Sequence, residues 1–226
     1  MGPPTAREWY NNGWRDIHDI IKYGLHTTKL TLSQKVFVEH YDDFQEKIPR
    51  SEAERIGTIV HRYANKICPG FQSVIVGGYR QGKDLCGDVD VLLTHPDPKA
   101  TNNFILDIVG KLQEDNWIFH QLRKSTHSSN HDQETTSIIA NSKTGLSSLD
   151  EAELVWQDAD LLRNPLKGKR NVLRRVDIIV SPWKVAGCAI VGWTGATQFE
   201  RELRSYTREK GMKFDSSGVR QLSDGS

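Results

Sequence analysis

GGYRQGKDLCGDVDVLLTHPD, residues 77–97, carries more chemistry than any other stretch of this 226-residue chain. Asp88 and Asp90 sit two apart in a β-rich run, and side chains two apart on a strand point the same way. That places two carboxylates side by side, where they repel unless a cation lies between them. Oxygen-only ligands suit Mg²⁺, with Mn²⁺ as substitute, and not a structural zinc. Glycines at 77, 78, 82 and 87 let backbone N–H groups approach an anion closely, as phosphate-binding loops do. A hairpin with exposed aspartates is the plainer alternative for the DxD pair alone.

Asp177 bears on that alternative. It lies in RRVDIIV (174–180), a lone acid in an apolar strand. An unpaired carboxylate is costly to bury there. Pairing with Arg174 or Arg175 is one explanation; a third carboxylate closing a two-metal site is the other. In such a site one ion activates a hydroxyl and the second holds a triphosphate and its leaving group. Glycines followed by DxD after a strand are a moderately specific signal for nucleotidyl transfer.

Outward from these motifs, helices come first and strands later. Residues 4–23 read as helix, turn, helix, with a stop at Asn11-Asn12-Gly13 and a cap at Asp16. A helix is expected over 31–47, ended by Pro49, and another over 51–67, where Ser51 and Glu54 have capping-box spacing. Strands are expected at 73–76, 88–93, 117–122, 154–156, 176–180 and 188–193, and helices at 102–115 and 197–210. Residues 124–148 are polar and aperiodic and read as a mobile loop; irregular chain is expected from Phe214 onward. The fold class is α+β: a helical part at 1–50, a mixed sheet with helices at 51–190, and a last part at 191–226.

Hydrophobic residues make up 37% and charged residues 26%, the balance of a soluble globular protein. No apolar run reaches the ~20 residues of a membrane helix, so no membrane partner is expected. Cys68, Cys86 and Cys188 have neither disulfide-framework nor zinc spacing, which favours a reducing intracellular setting. Net charge is only +1, yet the positives cluster. Arg163, Lys167, Lys169, Arg170, Arg174 and Arg175 form one group; Arg201, Arg204, Arg208, Lys210 and Lys213 form another. Either could neutralise phosphates or be a solvated face. His127 and His131 lie in the polar loop without a third ligand and read as surface residues.

These segments resemble the family X DNA polymerases. Residues 77–97 resemble that family's nucleotide and metal motif, RRVDIIVSPW (174–183) its third-aspartate strand, and GWTGATQFERELRSYTREKGMKFDSSGV (192–219) the start of its thumb. TAREWYNNGWRDIHDII through YDDFQEKIPR resembles its fingers. LVWQD and FDSSGV look most like the fungal polymerase IV-like group. The resemblance implies a helical fingers part, a nucleotidyltransferase palm and a partial thumb, shortened at both ends. It also implies nucleotide transfer from dNTP to a DNA 3′-OH in gap filling or end joining, in the nucleus. Primer-template or gapped DNA is the expected partner of a monomer that works with end-joining or repair factors.

Residue by residue, the resemblance makes Asp88, Asp90 and Asp177 the ligands of two Mg²⁺ ions. It gives the incoming nucleotide Arg50, Gly77, Gly78, Gln81, Gly87, Gly192, Trp193 and Gly195, and DNA Arg175, Arg201 and Arg204. Gln81 stands where the family usually has a phosphate-binding arginine, and Gly78 where several members have serine. Both weaken triphosphate binding unless Arg80 or Lys83 substitutes. Gly192 replaces a bulky tyrosine near the sugar, which predicts weak discrimination against ribonucleotides; a tight backbone turn before Trp193 is the alternative role. Two other readings stand beside polymerase activity: a catalytically weak DNA-binding remnant, and a nucleotidyltransferase with a non-DNA acceptor.

Overall fold

Hydrophobic periodicity changes from helical to alternating near residue 72, and the elements follow that change. The computed structural model describes residues 3–26, 30–126, 149–165 and 167–222. The chain divides into two compact units, Met1–Glu46 and Lys47–Ser226.

The first unit is helical: α1 (Pro3–Asn11), α2 (Ile17–Asp19) running into a π turn at Ile20–Gly24, α3 (Leu32–Glu39) and α4 (Tyr41–Gln45). Asp16 caps α2 by accepting from the Asp19 N–H. Trp9, Trp14, Ile20, Leu30 and Val38 form its small core. The helix expected over 31–47 breaks at His40 (φ −110°, ψ 28°). It begins with a reciprocal cap: the Gln34 N–H donates to Thr31 Oγ1 at 3.2 Å, and the Thr31 N–H donates to Gln34 Oε1 at 2.8 Å.

The second unit runs β1 (Ile48–Pro49), α5 (Arg50–Ile67), β2 (Gln72–Ile75), α6 (Gly77–Arg80), β3 (Leu85–Cys86) and β4 (Val89–His95). It continues with α7 (Phe104–Glu114), β5 (Ile118–Ser125), β6 (Asp150–Trp156), α8 (Ala159–Arg163) and β7 (Arg174–Pro182). It ends with α9 (Ala186–Thr194), α10 (Thr197–Glu209), β8 (Met212–Asp215) and β9 (Gly218–Gln221). The fold is α+β. Five strands form a mixed sheet in the order β2-β4-β7-β6-β5, with β4 and β7 parallel and the other neighbours antiparallel.

Strand alternation assigns the two faces of this sheet. Val89, Val91 and Leu93 on β4, and Val176, Ile178 and Val180 on β7, face α5 and α7 in the main core. Helix α5 supplies Ala53, Ile56, Val60, Tyr63 and Ala64 at helical spacing. Each fully buried large aliphatic side chain there stabilises by roughly 1.5–3 kcal/mol. The residues between, Leu92 and Ile179, face the other way and pack with Val76, Leu149 and Ala189. Asp90 and Asp177 share that second face.

Three local expectations fail for physical reasons. Residues 188–193 are helix, not strand: CAIVGW is a short apolar run whose period is ambiguous, and Ala186 and Ala189 are buried from one helical face. The chain after Phe214 is ordered as the β8–β9 hairpin, with Asp215 accepting from the Ser217 N–H at 3.0 Å. Ser51 and Glu54 form no cap; α5 starts at Arg50 after Pro49 without a side-chain cap, and Glu54 instead accepts from the Tyr79 hydroxyl at 2.8 Å. Of the expected polar loop, Lys124 and Ser125 belong to β5, whereas residues 127–148, with His127 and His131, lie outside the described residues. Among the described residues no helix is long and apolar enough to cross a membrane.

Candidate active site

Sheet register places the acids. Asp90 on β4 and Asp177 on β7 are direct partners in the parallel pair, so two motifs far apart in sequence present adjacent carboxylates. Asp88 lies just before β4. One carboxylate oxygen from each of Asp88, Asp90 and Asp177 falls within 4.8 Å of the others. Asp90 and Asp177 are buried, and Asp88 is half-buried.

Gly77 makes this arrangement possible. Its backbone has φ +56°, and a Cβ there would lie 1.9 Å from Asp90 Oδ2. Only glycine meets both demands: it tolerates the left-handed conformation and leaves room for the carboxylate.

Burial raises the Asp90 carboxyl to about 7, and the neighbouring Asp177 charge adds to that rise. Burial likewise raises Asp177 to about 6; the Arg175 guanidinium opposes the shift, while Glu153 and Glu151 reinforce it. Asp177 Oδ1 is buried without a hydrogen-bond partner. Three oxygen donors, two of them held above their ordinary range and one orphaned, fit a divalent hard cation, which would compensate the charge that burial disfavours. Arg175 supplies part of that compensation: it ion-pairs with Asp88 and reaches to 4.0 Å from Asp177. Arg174 turns to the other side of the strand and pairs with Glu52 of α5 at 2.7 Å.

The remaining candidate residues occupy three places. The Arg50 guanidinium donates to the Tyr79 and Lys83 carbonyls at 2.8 and 3.2 Å and stacks 3.8 Å from the Tyr79 ring centroid. It therefore braces the 77–83 segment. Gln81 Nε2 donates to the Thr194 carbonyl at 2.6 Å, tying that segment to the C-terminus of α9. A Cβ on Gly78 would press on Lys83, and one on Gly87 would lie 3.8 Å from Lys47 Nζ.

On α9, Trp193 packs against the second core with Val76 and Leu92. Gly192 lies inside the helix, where a Cβ would come 2.9 Å from Ser216 Cβ and 3.2 Å from its Cα. Gly195 ends that helix. On α10, Arg204 is paired with Glu200 at 2.8 Å and Arg201 is exposed.

Two features escaped sequence reading. Glu153 on β6 is the antiparallel partner of Asp177, and Arg123 on β5 bridges Glu151 and Glu153 at 3.1 and 3.3 Å. The alternation of Glu151 and Glu153 ahead of LVW was a usable signal, because it extends the strand toward Asp150. Lys47 beside Gly87 had no sequence signal, since only the β1–β3 pairing brings those segments together.

The family model described as DNA polymerase beta palm matches residues 47–183. Those for the fingers domain of DNA polymerase lambda and the DNA polymerase beta thumb match residues 1–45 and 189–226. The chain belongs to the X family of DNA polymerases. DNA polymerase lambda of Rattus norvegicus is 32% identical over 213 residues, covering 94% of this chain and 32% of that protein. The type-X family protein pol4 of Schizosaccharomyces pombe is 32% identical over 227 residues, covering 100% of this chain and 39% of that protein. DNA-directed DNA/RNA polymerase mu of Homo sapiens is 28% identical, covering 97% of this chain and 44% of its own length. This family X chain thus spans 32–44% of the length of these relatives.

Proposed function

We propose that this chain is the nucleotidyl-transfer core of a DNA polymerase that adds nucleotides from dNTP to a DNA 3′-OH. The observation that carries the reading is the Asp88, Asp90 and Asp177 cluster on one face of a sheet in a family X chain. These three residues would hold two Mg²⁺ ions, with Mn²⁺ as substitute. When bound, the ions supply Lewis acidity to the attacking hydroxyl and to the leaving pyrophosphate. Asp90, beside Gly77 and the 77–87 segment, faces the side where a triphosphate would enter. Asp177, on β7, would serve the primer 3′-OH.

The same reading assigns residues 1–50 to fingers, 51–190 to palm and 191–226 to thumb. It gives Arg175, Arg201 and Arg204 to DNA, and places the protein in the nucleus as a monomer acting in gap filling or end joining. A catalytically weak DNA-binding remnant is the second reading, favoured by one observation: Gln81 is neutral and already engaged by Thr194. Extension of a primer across a one-nucleotide gap with Mg²⁺ and dNTP separates the two. The expected result is extension by the wild type and none by Asp177→Ala, with DNA affinity nearly unchanged. Extension by Asp177→Ala within about tenfold of wild type, a difference of only ~1.4 kcal/mol in barrier, would overturn the two-metal assignment. No extension by the wild type would favour the remnant.

A further inference from the structure

Strand register lines up four ionisable residues across the sheet. Asp90 on β4 is the partner of Asp177 on β7, Asp177 of Glu153 on β6, and Glu153 of Arg123 on β5. Across the strands the charges run minus, minus, minus, plus. Residues directly opposite in an antiparallel pair have Cβ atoms about 4.5–5.5 Å apart, and like charges there repel. Glu153 carries one methylene more than Asp177, so its carboxylate has the reach to join the ligands of an ion that Asp177 holds. Yet the clustered oxygens are those of Asp88, Asp90 and Asp177, without Glu153.

Arg123 accounts for the difference. Its guanidinium forks between two carboxylates, Glu151 at 3.1 Å and Glu153 at 3.3 Å. The β5 strand is built to place it there. Register shifts from Gln121 opposite Leu154 to Arg123 opposite Glu153, so Leu122 is an extra residue. Without that bulge, leucine would stand opposite Glu153. Bulges beside active sites re-aim side chains in this way. Half-exposed ion pairs add little to fold stability, so the effect of this one is on placement. Behind burial and Arg175, Glu153 and Glu151 push the Asp177 carboxyl up and Arg123 pulls it down. Both signs of charge are therefore felt at the clustered acids.

We propose that Arg123 is a positioning residue of the metal site, pinning Glu153 toward β5 so that three carboxylates and not four meet the ions. A catalytic ion needs open positions for substrate oxygens, and a fourth carboxylate would fill one. The inference rests on the metal-binding reading of Asp88, Asp90 and Asp177.

Titration of the purified chain with Mn²⁺, followed by the electron paramagnetic resonance of the free ion, tests it. Arg123→Met frees Glu153 and should lower the Mn²⁺ Kd by at least about fivefold, because affinity at oxygen sites follows the number of charged ligands. Glu153→Gln added to Arg123→Met should return the Kd to within about twofold of wild type. Glu151→Gln added to Arg123→Met makes the same change in net charge but leaves Glu153 free, and should keep the tight binding. Should Arg123→Met lose its circular dichroism spectrum, Arg123→Gln replaces it in the same titrations. A wild-type Kd in the variant without Arg123 overturns the assignment. Equal reversal by the two glutamine substitutions overturns it as well, since net charge alone would then be at work. Either result leaves the site of Asp88, Asp90 and Asp177 standing, whereas a wild type that binds no Mn²⁺ overturns both.

Discussion

Asp90→Asn should make the metal-free protein more stable, not less. Asp90 is buried beside Asp177, and its carboxyl is raised from 3.8 to about 7. The sign follows from proton counting. Between those two values the folded chain retains a proton that the unfolded chain has released, so stability falls as pH rises through the window. The slope is about 1.4 kcal/mol per pH unit for one group. From pH 5 to pH 8 Asp90 alone removes about 3 kcal/mol, and from below its unfolded value the total approaches roughly 4 kcal/mol.

Asparagine has the same shape, carries no charge and can donate to the neighbouring carboxylate. The assay is urea unfolding in EDTA at pH 5 and pH 8 for both proteins. Wild type should lose stability across that range, and Asp90→Asn should lose substantially less, the remainder coming from Asp177, raised to about 6. Mg²⁺ or Mn²⁺ at pH 8 should restore wild type, because the ion binds the deprotonated carboxylates of the folded state. It should do little for the variant. If Asp90→Asn is less stable than wild type at pH 8 in EDTA, or if wild type is equally stable at both pH values, the charge-burial argument is wrong.

Two stability predictions test packing around the same site. Gly192→Ala drives a Cβ to 2.9 Å from Ser216 Cβ; overpacking costs about 1–3 kcal/mol, of which helix propensity offsets up to about 1. Gly187→Ala, in the same helix with nothing within 4 Å, should instead stabilise by up to about 1 kcal/mol, and equal effects in thermal melts of the two variants would refute the close approach. Tyr63→Phe removes the oxygen that accepts from Trp117 Nε1 at 3.0 Å and donates to Asp115 at 2.6 Å. The stranded indole N–H should cost about 1–3 kcal/mol in urea unfolding, and a neutral result would show that another acceptor reaches it.

Several features were legible in the residues because they follow from local rules. The two-residue period puts Asp88 and Asp90 on one side of an extended run, and the amphipathic 51–67 segment can bury its stripe only as a helix. An acid inside VDIIV is conspicuous because its neighbours are all apolar. The 188–193 run defeated the same method: without polar residues to mark a face, CAIVGW has no period to read. Helix or strand was then settled by whether Ala186 and Ala189 could bury against the sheet.

The sequence by itself thus determined the α+β class, the order of helices and strands, and which acids to watch. Tertiary structure decided how they meet. Only the parallel β4–β7 register sets Asp90 against Asp177, and only the neighbouring β6 brings Glu153 beside them. It also decided the fate of each cation: Arg174 to Glu52, Arg175 to Asp88, Arg50 to two carbonyls, Lys83 over Gly78. Charge pairing depends on distances of a few ångströms between residues distant in the chain. Such distances are set by strand register and by the space a glycine leaves, neither of which local sequence encodes.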